Sequence, residues 1–85
     1  MTYIYYFTAP WCGPCKSFGP VVEKVLAGRS YVKVNVDADQ ELAAEAKVRN
    51  VPTLVMRDGN HNEISRLIGA HPEEALRKWV ETGST

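Results

Sequence analysis

Cys12 and Cys15 are the only two cysteines of the chain, and Gly13 and Pro14 separate them. Two thiols at this spacing can close a small disulfide ring, or they can supply half of a tetrahedral metal site. The elements that hold them decide between these chemistries. The stretch before them, Tyr3-Ile4-Tyr5-Tyr6-Phe7, is aromatic and β-branched, which suits a buried strand. After them, Phe18 to Leu26 places apolar residues at helical spacing. The pair is therefore expected at a strand-to-helix turn, with Cys12 near the first turn of the helix. Unpaired backbone N–H groups and the helix dipole stabilise a thiolate there, which makes Cys12 the attacking sulfur. Cys15, one turn on, is expected on the same side and deeper, placed to resolve a mixed disulfide.

The supporting elements follow in order. Strand one is expected from about Thr2 to Phe7, buried on both faces because its residues do not alternate. The first helix runs from Cys12 or Gly13 to about Ala27, with Gly28 placed to cap it. Pro20 falls inside it, removes one backbone donor and predicts a kink. Tyr31 to Val36 alternates and reads as a second strand. Asp37 or Asp39 then caps a short helix from about Gln40 to Lys47, and Asp37 with Gln40 has capping-box spacing. Asn50 suits a left-handed or turn conformation before Val51-Pro52. Thr53 to Arg57 and Glu63 to Ile68 form a hairpin across Asp58-Gly59, and Gly69 ends the second of these strands. A last helix begins near Pro72, with Glu73 and Glu74 at its positive end, a Glu74–Lys78 pair, and Ala75, Leu76, Trp79 and Val80 facing the core. The order β-α-β-α-β-β-α gives an α/β fold. Its mixed four-stranded sheet has helices on both faces, and a right-handed crossover joins the first two strands.

At 85 residues, with 45% hydrophobic and 24% charged residues, the composition is that of one small globular domain. The domain is expected to span residues 1–82, with 83–85 as a tail. Lys and Arg total 10, as do Asp and Glu, and the formal net charge is zero, so a nucleic-acid partner is not expected. No stretch approaches the roughly 20 apolar residues of a membrane span. The chain shows no leader pattern at its start, so a reducing cytoplasmic setting is expected. In that setting two cysteines are more often redox-active or metal-binding than structural.

The hexapeptide Trp11-Cys12-Gly13-Pro14-Cys15-Lys16 and the downstream Val51-Pro52-Thr53 together resemble the thioredoxin family. The likeness covers roughly residues 3 to 80, and Pro20 matches it too. It implies a three-layer thioredoxin-like fold in a minimal form, without the leading strand and helix of longer members. It implies a protein disulfide reductase in which Cys12 attacks and Cys15 resolves. Pro52 would be cis, its neighbours' backbone edge pairing with an extended substrate. Trp11, Gly13, Pro14, Val51, Thr53, Gly69 and Ala70 would complete the docking surface. No bound cofactor or metal is implied. NADPH would be used indirectly, through a thioredoxin reductase or an equivalent enzyme. Substrates would be disulfide-containing proteins, ribonucleotide reductase among them, and the protein would act as a monomer.

The chain departs from the family pattern at Tyr6, where thioredoxins usually carry a buried Asp thought to relay the Cys15 proton. Thr8 replaces a common second tryptophan, and Lys33 loses the partner that Asp would provide. Slower deprotonation of Cys15 is the expected result. His61 and His71 read as solvated surface, and Tyr3 and Tyr5 as core or sheet-face residues. A glutaredoxin-like, glutathione-dependent reductase is an alternative, though Cys12-Gly13-Pro14-Cys15 and Ile68-Gly69-Ala70-His71 do not match the motifs of that group. A binding module, with two chains sharing a metal through one dithiol each, is another. A stabilising subunit whose thiols matter little is a third.

Overall fold

The computed structural model describes residues 2–83. Its elements are β1 (Tyr3–Thr8), α1 (Gly13–Val25), β2 (Val32–Asn35), α2 (Gln40–Glu45), β3 (Thr53–Arg57), β4 (Glu63–Ile68) and α3 (Glu73–Thr82). The sheet order is β2-β1-β3-β4. β1 pairs parallel with β2 and antiparallel with β3, and β3 pairs antiparallel with β4. This is the expected mixed sheet.

The central strand β1 serves two cores. Ile4 and Tyr6 join Phe18 and Val22 of α1, Leu26 just after it, and Leu76 and Trp79 of α3. Phe7, on the opposite face, joins Val34, Val55, Ala43 of α2 and Ala46 just after that helix. Helices therefore cover both faces, so β1 is apolar on each, and exposure is confined to Tyr3 and part of Tyr5 at its start. Burying each large side chain of the first core stabilises the fold by about 1.5–3 kcal/mol. The indole N–H of Trp79 has to find an acceptor inside that core, and it donates to Ser65 Oγ at 2.7 Å.

Several local expectations are corrected. Asp39 caps α2, accepting from the Leu42 N–H at 3.1 Å, so the capping box from Asp37 does not form. α1, which contains Pro20, ends at Val25 rather than Ala27 with Leu26 as its cap, while Gly28 takes a positive φ of 80° two residues beyond that cap. Of the two conformations expected for Asn50 it takes the bend, and among the described residues the left-handed non-glycine positions are Lys47 and His61. Along α3 the ion pair runs from Glu73 to Arg77 at 3.0 Å, and Glu73 also reaches Lys24 of α1 at 3.0 Å, so Glu73 takes the place expected of Glu74. Gly83 closes α3 in a left-handed conformation, and the rest of the expected tail, Ser84 and Thr85, lies outside the described residues.

Candidate active site

Cys12 is the N-cap of α1, in extended conformation, immediately before the first helical residue. Its sulfur accepts the Cys15 backbone N–H at 3.1 Å, so one of the unpaired donors of the helix start is aimed at sulfur. Pro14 lies in the first turn, where a missing N–H costs nothing. Cys12 and Cys15 are joined by a disulfide, with 5.2 Å between their Cα atoms. The two residues are buried alike, 4% and 5% exposed, so the greater depth expected for Cys15 is not found. Helix position separates their roles instead. Cys12 holds the end of the dipole, while Cys15 sits one turn inside.

A small apolar cluster surrounds the pair, made of Ala9 with Val36 and Val51 against the two cysteines. Cys12 Sγ lies 3.5 Å from the Val51 carbonyl oxygen. With the sulfur held in the disulfide this is a van der Waals contact. The Val51–Pro52 bond is cis. Pro52 and Thr53 are buried, and the Thr53 hydroxyl donates to the Asn50 carbonyl at 2.7 Å, bracing the loop from within. Gly69, at a φ of 89° where a side chain would be strained, donates its N–H to the Pro52 carbonyl at 2.8 Å. The end of β4 is thereby tied to the loop that carries Pro52, and Ala70 lies exposed beside it.

Trp11 is 66% exposed, and its indole N–H donates to Asp37 Oδ2 at 2.8 Å. The bond fixes the ring while leaving an apolar face open next to Cys12. Gly13 and Pro14 are also exposed. Ala9, which with Pro10 reads from the sequence as the opening of this loop, packs directly against both cysteines. Two contributors escaped the sequence reading. Asp37 was assigned to the helix cap, yet with Asp39 two residues on to do that work it was available for Trp11. Ile68, 54% exposed, is a large apolar residue at the site end of β4. Its alternation with buried Leu67 is the signal that could have found it.

Among the described residues, no group of three or more His, Cys, Asp or Glu side chains could hold a metal ion. The Cys12–Cys15 disulfide at the start of α1 fits reversible making and breaking of one bond between the two sulfurs. The thioredoxin family model matches residues 2–82. Over 79 residues the chain is 43% identical to the thioredoxin of Bacillus subtilis, spanning 87% of this chain and 74% of that one. Over 78 residues it is 38% identical to the thioredoxin of Haemophilus influenzae, spanning 87% and 72%. Among solved structures it is similar to a thioredoxin variant from Halobacterium salinarum, with a TM-score of 0.83 and 35% identity over 95% of this chain and 73% of that one. The oxidised mitochondrial thioredoxin 3 of Saccharomyces cerevisiae superposes with a TM-score of 0.83 at 32% identity, over 94% and 76%. The chain belongs to the thioredoxin family. Its Cys12–Cys15 pair makes it a protein dithiol–disulfide oxidoreductase.

Proposed function

We propose that the pair runs in the reducing direction, delivering two electrons to disulfides of other proteins. The Cys12 thiolate attacks one sulfur of the target, forming a mixed disulfide and releasing the other target sulfur as a thiolate that takes up a proton. Cys15 loses its proton and attacks Cys12 Sγ. The Cys12–Cys15 bond forms, the second target sulfur leaves, and the target departs as a dithiol. The observation that carries this reading is the Cys15 N–H aimed at Cys12 Sγ at the start of α1, which favours negative charge on Cys12 over Cys15. Trp11, Pro14, Val51 and Ile68 would present the apolar docking face, and the backbone around Pro52, Gly69 and Ala70 would pair with an extended target segment.

A reductase that draws on NADPH would return the disulfide to the dithiol, and the protein would work as a cytoplasmic monomer. Its targets would be disulfide-containing proteins, with ribonucleotide reductase as one candidate. NADPH-coupled insulin reduction with a panel of reductases tests the reading. Wild type should turn over, Cys12→Ser should not, and Cys15→Ser should accumulate a mixed disulfide with insulin. Turnover driven by glutathione and glutathione reductase alone would favour the glutaredoxin-like alternative.

A further inference from the structure

A cleft of about 440 Å³ opens between β1, β2 and the first turns of α1, and Cys15 rather than Cys12 lines it. The parallel register pairs Tyr6 with Lys33 and Thr8 with Asn35, so these four side chains share the sheet face turned toward α1. Cys15, Lys16 and Gly19 form the opposite wall. Tyr6 is only 2% exposed. Its hydroxyl lies over Gly19, 3.9 Å from where a Cβ would stand, one helical turn from Cys15. That hydroxyl has no hydrogen-bond partner among the described residues. Every side-chain nitrogen or oxygen sealed from solvent among the described residues does have one, so the hydroxyl is reached through the cleft.

The polar groups around this space are donors. Lys16 and Lys33 bring two positive charges in a chain of zero formal net charge, and no aspartate or glutamate lines the cleft. Asn35 Oδ1 already accepts from the backbone of Asp37 and Ala38, which leaves its N–H groups as the free end. Ala9 and Pro10 supply an apolar flank. We propose that the cleft binds a small monocarboxylate, its head on the Tyr6 hydroxyl and the Lys33 ammonium and its short aliphatic tail on Ala9 and Pro10. A buried phenol without a partner supplies a directed donor, and the lysines supply the charge that offsets the loss of water around the anion. Because Cys15 lines the same space, the bound anion and a Cys15 thiolate oppose one another. By reciprocity, carboxylate binding raises the Cys15 pKa, and thiolate formation expels the carboxylate.

The test is an NMR titration of the oxidised protein with acetate at fixed pH and ionic strength, with chloride as the control. Its readouts need no turnover, so they stand apart from the reductase reading. Saturable shifts at Tyr6, Lys33 and Asn35 are expected with acetate and not with chloride. Tyr6→Phe should weaken binding about tenfold, the loss of one hydrogen bond to a charged acceptor, and Lys33→Met, which leaves the core intact, should weaken it as well. In the reduced protein, acetate should move the Cys15 ¹³Cβ titration midpoint upward. Shifts that fail to saturate, equal shifts with chloride, or unchanged affinity in both variants would overturn the proposal. An unmoved Cys15 midpoint would place the anion outside the cleft and overturn it equally.

Discussion

The two ends of the sheet are held together by different means. At the disulfide end the ties are mostly backbone bonds: Gly69 N–H to Pro52, Cys12 N–H to Ala9 at 3.2 Å, and Val36 N–H to Thr8 at 2.9 Å. Side chains are left over there, and Trp11 and Ile68 stand open to solvent. Toward the hairpin the ties are side chains. Asp58 Oδ1 accepts from the backbone of Asn60 at 2.8 Å and Asn62 at 3.0 Å, closing the β3–β4 loop. Arg66 binds Glu63 and also reaches the Ala46 and Lys47 carbonyls at the end of α2. Arg57 lies over the Tyr5 ring, which neighbours His61. The contrast teaches a division of labour. Backbone bonds fix the disulfide loop and keep its side chains available for a partner, while side-chain networks elsewhere carry stability.

Substitutions can break that division. The largest effect is expected from Leu76→Ala, which empties a fully buried place between α3 and the sheet. It should cost about 2–5 kcal/mol in urea unfolding, while the molecules still folded keep their rate of thiol–disulfide exchange. A rate loss as large as the stability loss would show that the core and the site are not separable. Trp11→Ala should do the reverse. We expect kcat/KM for a protein disulfide to fall about tenfold, the effect of losing roughly 1.4 kcal/mol of docking, with the urea midpoint unchanged.

Most of the fold was legible before the structure, because aromatic and β-branched strands, helical periodicity and glycine punctuation agree with one another along the chain. The hairpin strands fall on the predicted residues, Thr53–Arg57 and Glu63–Ile68. The dithiol, its place at a helix start and the Pro52 loop were legible from local motifs. What was not legible depended on distance in the sequence. Asp37 and Trp11 are 26 residues apart, and Arg66 meets Ala46 across 20, so no local pattern chooses these partners over nearer ones. The choice between Glu73 and Glu74 was likewise settled by Lys24 on another helix.

Two smaller effects sharpen the comparison. Arg66→Ala should cost about 1–2 kcal/mol, since it frees two carbonyls and a partly exposed ion pair, and insulin reduction should not change. Acid should then act on the side-chain networks first. Asp58 is held below the ordinary carboxylate range by the loop N–H groups of Asn62 and Asn60. Glu63 is lowered by its bond to Arg66, and Glu73 by Lys24 and Arg77. A lowered carboxyl pKa stabilises the fold above its unfolded value and loses that contribution as pH falls through the folded value. The urea midpoint should therefore be flat down to the ordinary glutamate value of 4.5 and decline below it. The decline should be shallower in Arg66→Ala. A decline that begins near neutral pH would point to a group outside these networks.

The place of β3 in the sheet has a consequence for synthesis. Tyr3 pairs with Arg57 and Phe7 with Thr53, so the central strand, made first, waits for residues some fifty positions later. On a ribosome adding about 5–20 residues per second, Cys12 and Cys15 emerge seconds before Val51 and Pro52 arrive to wall them in. Until then the dithiol belongs to an open chain, without the loop that packs against it. A nascent chain stalled before the third strand would carry both thiols outside their folded setting.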